Sequence, residues 1–526
     1  RVAFARQELV EEAAETMVVV DDQDARCLSR NRHEEGRVLM AVARCLPSNL
    51  VLPPPARQSI EPPVPAAAAP VTKDYISPPR WNQAGYMAPL VSSRPGMPRE
   101  PAGVRRPAGA LGEQGEPRMP KTAFKIDLNK APEEQEIKTH NRWHPDIPMV
   151  EMFKPGDEFR VECYDWTGGQ IRNDDSANDV RDVNLTKVHY LSGPFGVEGA
   201  EPGDLLVVDI LDIGALPGSE WGFNGIFAKE NGGGFLTEHF PEARKSCWDF
   251  HGIYTSSRHV PGVRYPGLVH PGLIGCLPDH KLLAEANRRE AALIATDPDR
   301  VPPLAAPPFA DTALMGQMKG DAASKAAQEA WRTVPPREHG GNCDIKNLSR
   351  GSRVYFPVYV KGGGLSMGDI HWSQGDGEIT FCGAIEMAGW IDIGVGLIKG
   401  GVAKYGIINP IFKPSPVDPH FSDYLIFEGI SVDERTGEQY YLDAHVAYRR
   451  ACLNAIEYLK KFGYTGEQAY MILGTAPVEG RISGIVDIPN VCATLAIPTA
   501  IFDFDIRPNA SGPSRQVSGV EVARTS

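Results

Sequence analysis

Alternating apolar and polar residues form the most regular pattern in this chain, and they predict β-strands. The alternation runs through residues 153–165 and 201–212, each around a Pro-Gly-Asp turn, and a looser copy leads into the apolar run 354–360. Turn residues joined to a period of two are typical of strands in a sandwich or barrel. Three such units predict a mainly β fold with a sandwich- or barrel-like core, and they disfavour a βαβ nucleotide-binding fold.

Helical patterning is sparse, so we expect only a few α-helices at the periphery. Residues 281–296 are rich in Ala, Leu, Glu and Arg and stop before an Asp-Pro pair, where a helix should end. Residues 442–462 carry an apolar face that ends at a glycine, which is typical of a helix C-terminus. A further short helix is predicted within 322–331, and closing strands within 486–504.

Proline divides the chain into segments of different character. Residues 47–117 hold 16 of the 46 prolines, and such a composition buries too little apolar surface to offset the entropy of ordering. Met119 is a candidate natural start, and a linker or docking arm is the alternative for what precedes it. The predicted organisation is a largely disordered extension (1–118), a catalytic domain (119–512) with a helical excursion (281–338), and a loose tail (513–526).

Charge and cysteine usage narrow the class of protein. The net charge of −13 disfavours nucleic acid and anionic membrane as partners, because both require a basic surface. No apolar run is long enough to span a bilayer and no secretory signal is visible, so we expect a cytoplasmic protein. The nine cysteines are scattered without a CxxC pair, which is typical of reduced thiols.

The segment 339–386 concentrates the candidate chemistry. The run 354–360 inside it is predicted to be a buried strand that holds polar loops at both ends. Two histidines and several glycines accompany the five carboxylates, which are Asp344, Asp369, Asp376, Glu378 and Glu386.

Asp369 and His371 are two residues apart, so on an extended segment their side chains leave the same face and can meet one cation. A divalent ion bound by imidazole and carboxylate activates water near neutral pH. The same spacing also fits a polar hairpin end, and the spacing alone favours neither interpretation. Glu386 lies in an apolar run and must be paired, bound to metal or at a strand end. Asp165, which ends an alternating strand before two glycines, is a further candidate ligand.

Two glycines flank Asp376 and direct Asp376 and Glu378 into a shared space. Neighbouring carboxylates raise one pKa, which suits a general acid or base. Asp-Gly is also a common hairpin turn, and a solvated turn explains Asp376 without any function.

Cys343 and Cys382 allow a rival mechanism in which a thiolate attacks the amide. However, neither cysteine has the neighbouring lysine and glutamate that are typical of nitrilase-type amidases. Buried, unreactive thiols are the usual case.

Several short motifs follow one another in a fixed order, and together they resemble the acetamidase/formamidase family over about residues 121–512. The excursion 281–338 is most similar to the formamidase branch. The resemblance implies hydrolysis of formamide or another short aliphatic amide by a β-rich, oligomeric cytoplasmic enzyme, and it favours a divalent ion in the cleft. The motifs are 257–262 (SRHVPG), 270–272 (HPG), 340–346 (GGNCDIK), 358–360 (VYV), 365–371 (LSMGDIH) and 374–378 (QGDGE).

The resulting hypothesis is a metal-dependent amidase that takes a small amide and assembles as a dimer, trimer or higher homo-oligomer. The metal is expected to be zinc, with calcium as the alternative. Glu378 is expected to carry the proton from water to the departing nitrogen, and the backbone at 340–341 or Asn342 to stabilise the oxyanion. The expected metal ligands are Asp369 and His371 with one or two of Asp165, Asp344 and Glu386.

Two alternatives remain open at this level. One is a metal-independent amidase in which Glu378 acts with Cys343 or Cys382. The other is a non-enzymatic β-sandwich protein whose acidic loops hold calcium, for which a site without histidine would be expected.

Overall fold

The computed structural model describes residues 120–513 and 515–526. These residues belong to one compact unit, Arg106–Ser526, and the other unit, Arg1–Arg105, lies outside the described part of the chain. The predicted disorder of residues 1–118 therefore falls outside the described residues.

Within the described residues the chain is mainly β, which confirms the predicted class. The strands are β1 Lys121–Phe124, β2 Arg142–Trp143, β3 Glu151–Phe153, β4 Glu158–Cys163, β5 Ser192–Val197, β6 Leu205–Ala215, β7 Trp221–Ile226, β8 Arg244–His251, β9 Tyr254–Ser257, β10 Tyr265–Pro266, β11 His270–Gly275, β12 Trp331–Arg332, β13 Gly340–Asn342, β14 Arg353–Pro357, β15 Leu365–Gln374, β16 Ala384–Met387, β17 Gly389–Ile398, β18 Ile411–Lys413, β19 Tyr424–Ile430, β20 Glu479–Gly484, β21 Cys492–Pro498 and β22 Ala523–Arg524. The α-helices are α1 Asn178–Asp182, α2 His280–Ile294, α3 Gly320–Ala327, α4 Gly401–Tyr405, α5 Ala444–Lys460 and α6 Gly466–Thr475.

Two open sheets share the main hydrophobic core. One sheet has the strand order β1-β4-β17-β6-β14-β18, and the larger sheet runs β10-β9-β8-β7-β16-β15-β11-β13, with β3, β5 and β22 attached to it. Phe159 and Val161 of β4 belong to the same buried cluster as Met367 and Ile370 of β15. Both sheets stay open at their edges, so the core is that of a sandwich and not of a closed barrel.

Alternation along β4 explains how the first sheet faces this core. Phe159, Val161 and Cys163 are fully buried, whereas Glu158, the first residue of β4, is exposed. The chain passes from the larger sheet to the smaller one at Ala388, between β16 and β17. The core therefore follows from the period-two pattern that the sequence shows.

Strand β15 holds the centre of the larger sheet, and all ten of its residues are buried. Asp369 and His371 both lie within this strand, on the extended segment that the argument from their spacing assumed. The run predicted as 354–360 forms β14, which belongs to the other sheet and does not hold the polar loops. A central strand that is covered on both faces buries its polar side chains, and these then require partners.

Helices α2 and α5 lie where the sequence predicts them, α3 overlaps its predicted range in part, and α1, α4 and α6 were not predicted. Helix α2 begins after Asp279, whose side chain accepts a hydrogen bond from Leu282 N, and α5 begins after Asp443 in the same manner. Helix α5 packs on β19 and β21 of a separate three-stranded sheet.

The segment 486–504 and the C-terminal tail differ from expectation. Only β21 forms a strand within 486–504. The tail was predicted to be loose, but β22 pairs with β8, and Val517 N donates to Phe462 O. Backbone pairing with a neighbouring strand orders this polar segment despite its weak local signal.

Candidate active site

Three neighbouring strands align the central residues of the site. In the antiparallel register His270 of β11 lies opposite His371 of β15, and His371 lies opposite Glu386 of β16. All three residues are buried. The sheet register therefore sets two histidines and a carboxylate side by side, although they are far apart in the sequence.

Asp369, His371 and Glu386 converge around one point. His371 Nε2 lies 3.2 Å from Asp369 Oδ1 and 2.9 Å from Glu386 Oε2. Despite these short distances, neither His371 Nε2 nor Glu386 Oε2 forms a hydrogen bond of normal geometry with the described residues. Asp369 Oδ1, Glu386 Oε2 and His371 Nε2 thus lie close together, but no N–H group is aligned for a hydrogen bond between them.

Gln374 and His270 determine which nitrogen of His371 carries the proton. Gln374 Nε2 donates to Asp344 O at 2.7 Å, so Gln374 Oε1 is the acceptor that lies 2.9 Å from His371 Nδ1. His270 Nδ1 donates to Leu268 O at 2.6 Å, so Nε2 of a neutral His270 is also an acceptor, 3.2 Å from His371 Nδ1. The proton therefore resides on Nδ1, and the Nε2 lone pair of neutral His371 points to the carboxylates.

The pKa shifts show how strongly Asp369, His371 and Glu386 influence one another. Burial alone would lower the pKa of His371, but Glu386 and Asp369 outweigh it and raise that pKa well above its usual value. Burial opposes ionisation of Asp369, yet the interaction with His371 lowers its pKa to about 2. Burial raises the pKa of Glu386 to about 8. The site requires positive charge between its carboxylates, from a proton or from a cation.

Asp344 and Glu378 form a second pair of carboxyl groups near His371. One atom from each of these three residues lies within 4.8 Å of the others. Burial raises the pKa of Asp344 well above its usual value and also raises that of Glu378. A hydrogen bond links the two carboxyl groups and favours protonation of Asp344. Asp344 is therefore the carboxyl of the pair that retains its proton.

Unusual backbone conformations accompany three of these carboxylates. Asp344, Asp369 and Glu378 have φ of 49°, 55° and 46°, in the left-handed region that side chains rarely adopt. Gly272 provides space beside them, because a Cβ there would lie 2.4 Å from His371 Cε1 and 2.7 Å from Asp344 Oδ1. Strained residues cluster at functional sites when the surrounding structure holds them in place.

An ion pair connects the loops that carry Asp344 and Glu378. Lys346 Nζ lies 2.8 Å from Asp376 Oδ1, and Asp376 Oδ2 accepts a hydrogen bond from Gly480 N at 2.9 Å. Lys346 is buried, whereas the Asp376 side chain is 37% exposed. Asp376 is thus a partly exposed turn residue, in agreement with the turn interpretation of the sequence, and its carboxylate has fixed partners.

A known protein family matches most of this chain. The sequence profile described as the Acetamidase/Formamidase family matches residues 125–504 of this chain. The chain belongs to the acetamidase/formamidase family. Its class is therefore that of a hydrolase acting on linear amide C–N bonds, as the motifs led us to expect.

Individual relatives in the family cover most of the described chain. A formamidase from Methylophilus methylotrophus is 74% identical over 407 residues, which are 77% of this chain and 100% of that protein. An acetamidase from Mycolicibacterium smegmatis is 62% identical over 69% of this chain and 91% of its own. The solved structure of a gamma lactamase from Delftia acidovorans is 69% identical, with a TM-score of 0.76 over 77% of this chain and 100% of its own.

Two expected site residues have other partners in this family member. Both carboxylate oxygens of Asp165 accept hydrogen bonds within its own turn, from Thr167 N at 2.9 Å and Gly169 N at 3.0 Å. Asn342 Nδ2 donates to Val334 O at 3.1 Å. Asp165 is absent from the groups of described residues whose ligand atoms converge on one point, so its role as a metal ligand stays a prediction. One amide hydrogen of Asn342 is engaged by Val334 O.

The backbone donors expected at 340–341 are similarly engaged. Gly340 N donates to Arg337 O at 3.1 Å, and Gly341 pairs with Ile274 in the β11–β13 register. The local glycine pattern suggested a free loop, but this segment is β13. Gly340 N is therefore not a free donor for an oxyanion.

The cysteines do not fit a nucleophilic role. Burial raises the pKa of the Cys343 thiol to about 12 and that of Cys382 well above its usual value. A thiolate is the reactive form, and such pKa values leave almost none of it near neutral pH. These raised pKa values disfavour the rival mechanism through Cys343 or Cys382.

A second histidine cluster offers a useful contrast. His144, His280 and Glu329 also approach one another. However, His144 Nδ1 accepts a hydrogen bond from Asp146 N at 3.2 Å, so its proton resides on Nε2, which faces Glu329 at 3.2 Å. That nitrogen has no lone pair for a cation, unlike Nε2 of His371.

The sequence patterns did not identify several residues that shape the site. Gln374 and Lys346 lie inside recognised motifs, but no spacing rule predicts their partners. His270 lies in the 270–272 motif and His259 in the 257–262 motif, and neither motif indicates which histidine reaches the site. His259 instead accepts a hydrogen bond from Cys247 N at 3.0 Å. His189, which interacts electrostatically with Asp369, lies in a short apolar stretch without any motif.

A cleft of about 580 Å³ reaches Glu386 from the surface. Its walls include Asp165, Trp221 and Phe223. This volume falls in the range of sites that bind small molecules.

In the part of the chain that the structure describes, no helix combines the length and apolar character needed to cross a membrane.

Proposed function

We propose that this chain hydrolyses a short linear amide, with formamide as the first candidate, to a carboxylate and ammonia at a divalent metal ion. The arrangement of His371 carries the proposal. In the neutral ring Gln374 and His270 hold the proton on Nδ1, so the Nε2 lone pair faces Asp369 and Glu386 at 3.2 and 2.9 Å. This is the protonation state that a metal-ligating histidine requires. A bound cation would replace the second proton that these two carboxylates otherwise favour on Nε2 by raising the pKa of His371.

The donor set favours zinc over calcium. Ligands that share a zinc ion at about 2.0–2.2 Å lie roughly 3 Å apart. His371 Nε2 has this spacing from each carboxylate oxygen, and all three ligand atoms lie within 4.8 Å of one another. Calcium prefers six to eight oxygen ligands, and an imidazole nitrogen is a poor substitute. The hydrogen-bond vacancies at His371 Nε2 and Glu386 Oε2 also fit a cation. When bound, the ion would polarise the amide carbonyl and lower the pKa of water to about 7.

Glu378 is the proton carrier in this proposal. Its raised pKa brings it closer to neutrality, where a general base is most effective. It takes one proton from water as the water oxygen bonds to the amide carbon, and it delivers that proton to nitrogen as the C–N bond breaks. Asp344, which retains its own proton, orients Glu378 by a hydrogen bond.

The names of the relatives suggest two substrate classes. Formamidase and acetamidase support a short linear amide. The relative named a gamma lactamase supports a five-membered cyclic amide as a second candidate. The cleft volume of about 580 Å³ is larger than formamide requires.

We further propose a cytoplasmic location and assembly of identical chains. Ile482, Val486 and Ile488 support assembly, because they are 59–75% exposed and would be covered in an oligomer.

Ammonia release tests the proposal directly. The purified protein is assayed with formamide, acetamide and a γ-lactam, before and after exhaustive chelation, after zinc is restored, and with a thiol-blocking reagent. We expect turnover of formamide that chelation abolishes, zinc restores and thiol blocking spares. For the lactam, ring opening is followed by chromatography, since no ammonia is released.

Two outcomes would contradict the proposal in different ways. Turnover that survives chelation and is lost on thiol blocking would replace the metal by Cys343 or Cys382. If none of the three compounds is hydrolysed by zinc-loaded protein, the proposed substrates are wrong.

A further inference from the structure

His189 occupies a buried position beside the proposed metal ligands. The residue is 7% exposed, and its ring lies 5.3 Å from that of Trp166. The chain beside it approaches the central strand, since a Cβ on Gly368 would lie 2.8 Å from Tyr190 O. His189 and Asp369 also interact electrostatically. The imidazole therefore lies near Asp369, one of the proposed metal ligands.

Thr333 selects the tautomer of His189. The Thr333 hydroxyl oxygen accepts a hydrogen bond from His189 N at 2.6 Å and lies 3.0 Å from His189 Nδ1. Thr333 is fully buried, and Nδ1 is the acceptor available to its hydroxyl hydrogen among the described hydrogen bonds. Buried hydroxyl groups nearly always satisfy their hydrogen, so Nδ1 accepts and the ring proton resides on Nε2.

The Nε2–H group of His189 has no hydrogen-bond partner among the described residues. Burial lowers the pKa of His189 to about 4, so the ring is neutral under ordinary conditions. A neutral imidazole with a fixed N–H is a strong electrophilic donor that needs no proton transfer of its own. Such a donor inside a polar site is prepared for an acceptor on a ligand.

The reaction requires a donor of this type. Attack of water on an amide carbon develops negative charge on the carbonyl oxygen, and a prearranged N–H stabilises it. The donors expected at Gly340 and Asn342 are already bonded to Arg337 O and Val334 O.

We propose that His189 Nε2–H donates a hydrogen bond to the carbonyl oxygen of the amide substrate, and that Thr333 positions His189 for this role. The inference rests on the proposed function, since it assigns a donor to that reaction. It also gives the excursion 281–338 a function, because Thr333 belongs to it and reaches the site.

Paired substitutions at each position test the assignment. Glutamine places an amide N–H near the position of imidazole Nε2, whereas asparagine does not reach it. We expect His189→Gln to retain kcat within about tenfold, and His189→Asn to lose about 10²–10³-fold, the effect typical of one oxyanion donor. Thr333→Ser should behave like the parent, whereas Thr333→Val should lower kcat with little change in KM. Bound zinc should remain at the parental level in all four variants.

Three results would overturn the assignment. Equal kcat for His189→Gln and His189→Asn would exclude a donated hydrogen bond. Loss of zinc from His189→Asn would instead show that His189 supports Asp369. A ¹⁵N spectrum of histidine-labelled protein that places the His189 proton on Nδ1 would refute the role of Thr333. The spectrum needs no turnover, so it separates failure of this inference from failure of the proposed amidase activity.

Discussion

Replacement of Gly272 by alanine is the most direct test of the site geometry. The new Cβ would lie 2.4 Å from His371 Cε1 and 2.7 Å from both His371 Nε2 and Asp344 Oδ1. Contacts under 3.0 Å do not occur for real Cβ atoms, so His371 and Asp344 must move. Neither can move freely, because Gln374 holds the His371 ring and also the backbone of Asp344.

The size of the effect follows from the required displacement. Ordinary contact begins near 3.4 Å, so the His371 ring must shift by about 1 Å. A misplacement of about 1 Å typically costs about 10²-fold in rate. We therefore expect kcat to fall about 10²-fold, which corresponds to about 2.7 kcal/mol in the activation barrier.

Gly394→Ala is a matched control in another buried strand. Its Cβ would lie 3.7 Å from Asp209 Cβ, the nearest atom, which is ordinary contact. Both variants are assayed for ammonia release from formamide, with rates normalised to the folded fraction measured by thermal unfolding. If Gly272→Ala keeps more than half of the parental kcat while Gly394→Ala behaves normally, the crowding at His371 has no catalytic consequence and the reasoning is wrong.

Four further predictions concern the same site. Glu378→Gln should lower kcat by about 10²–10⁴-fold with unchanged zinc content, whereas His371→Ala should lose both, as elemental analysis would show; near-parental kcat in Glu378→Gln would reassign the proton carrier. Because the pKa of Glu378 is raised and its carboxylate is the active base, kcat/KM should fall as the pH drops through that raised pKa, and a pH profile without this acid limb would contradict the assignment. Gln374→Leu should weaken zinc binding about 10–100-fold in a chelator competition, whereas Gln374→Glu, which keeps the acceptor for His371 Nδ1, should weaken it less. Cys343→Ser should leave kcat within about twofold, and a large loss would revive the thiolate route.

Some features of the fold are readable along the chain because they depend on neighbouring residues. The alternation that ends at Cys163 predicts β4, since a strand exposes successive side chains to opposite sides. The boundaries of α2 and α5 follow from capping residues and from the residues that end each helix. By contrast, β22 pairs with β8, which lies far upstream in the sequence, and no local signal indicates that partner.

The motifs indicated which residues could act in the site more accurately than they indicated the partners of each residue in the fold. Asp369 and His371 meet, as two residues on one extended segment should. Asp165 was an equally reasonable ligand on local grounds, yet its own turn supplies N–H donors to both of its oxygens. The position of a carboxylate near a strand end does not reveal which donors the folded backbone brings to it.

The amino-acid sequence by itself determined the mainly β class, the family and the residues that can act on an amide, because strand periodicity and motif order are local properties. Only the tertiary structure decided how those residues work together. The register of β11, β15 and β16 aligned His270, His371 and Glu386, and the excursion brought Thr333 to His189. Hydrogen bonds between distant segments set the proton positions on both site histidines, and these bonds depend on atoms that become neighbours only when the chain folds.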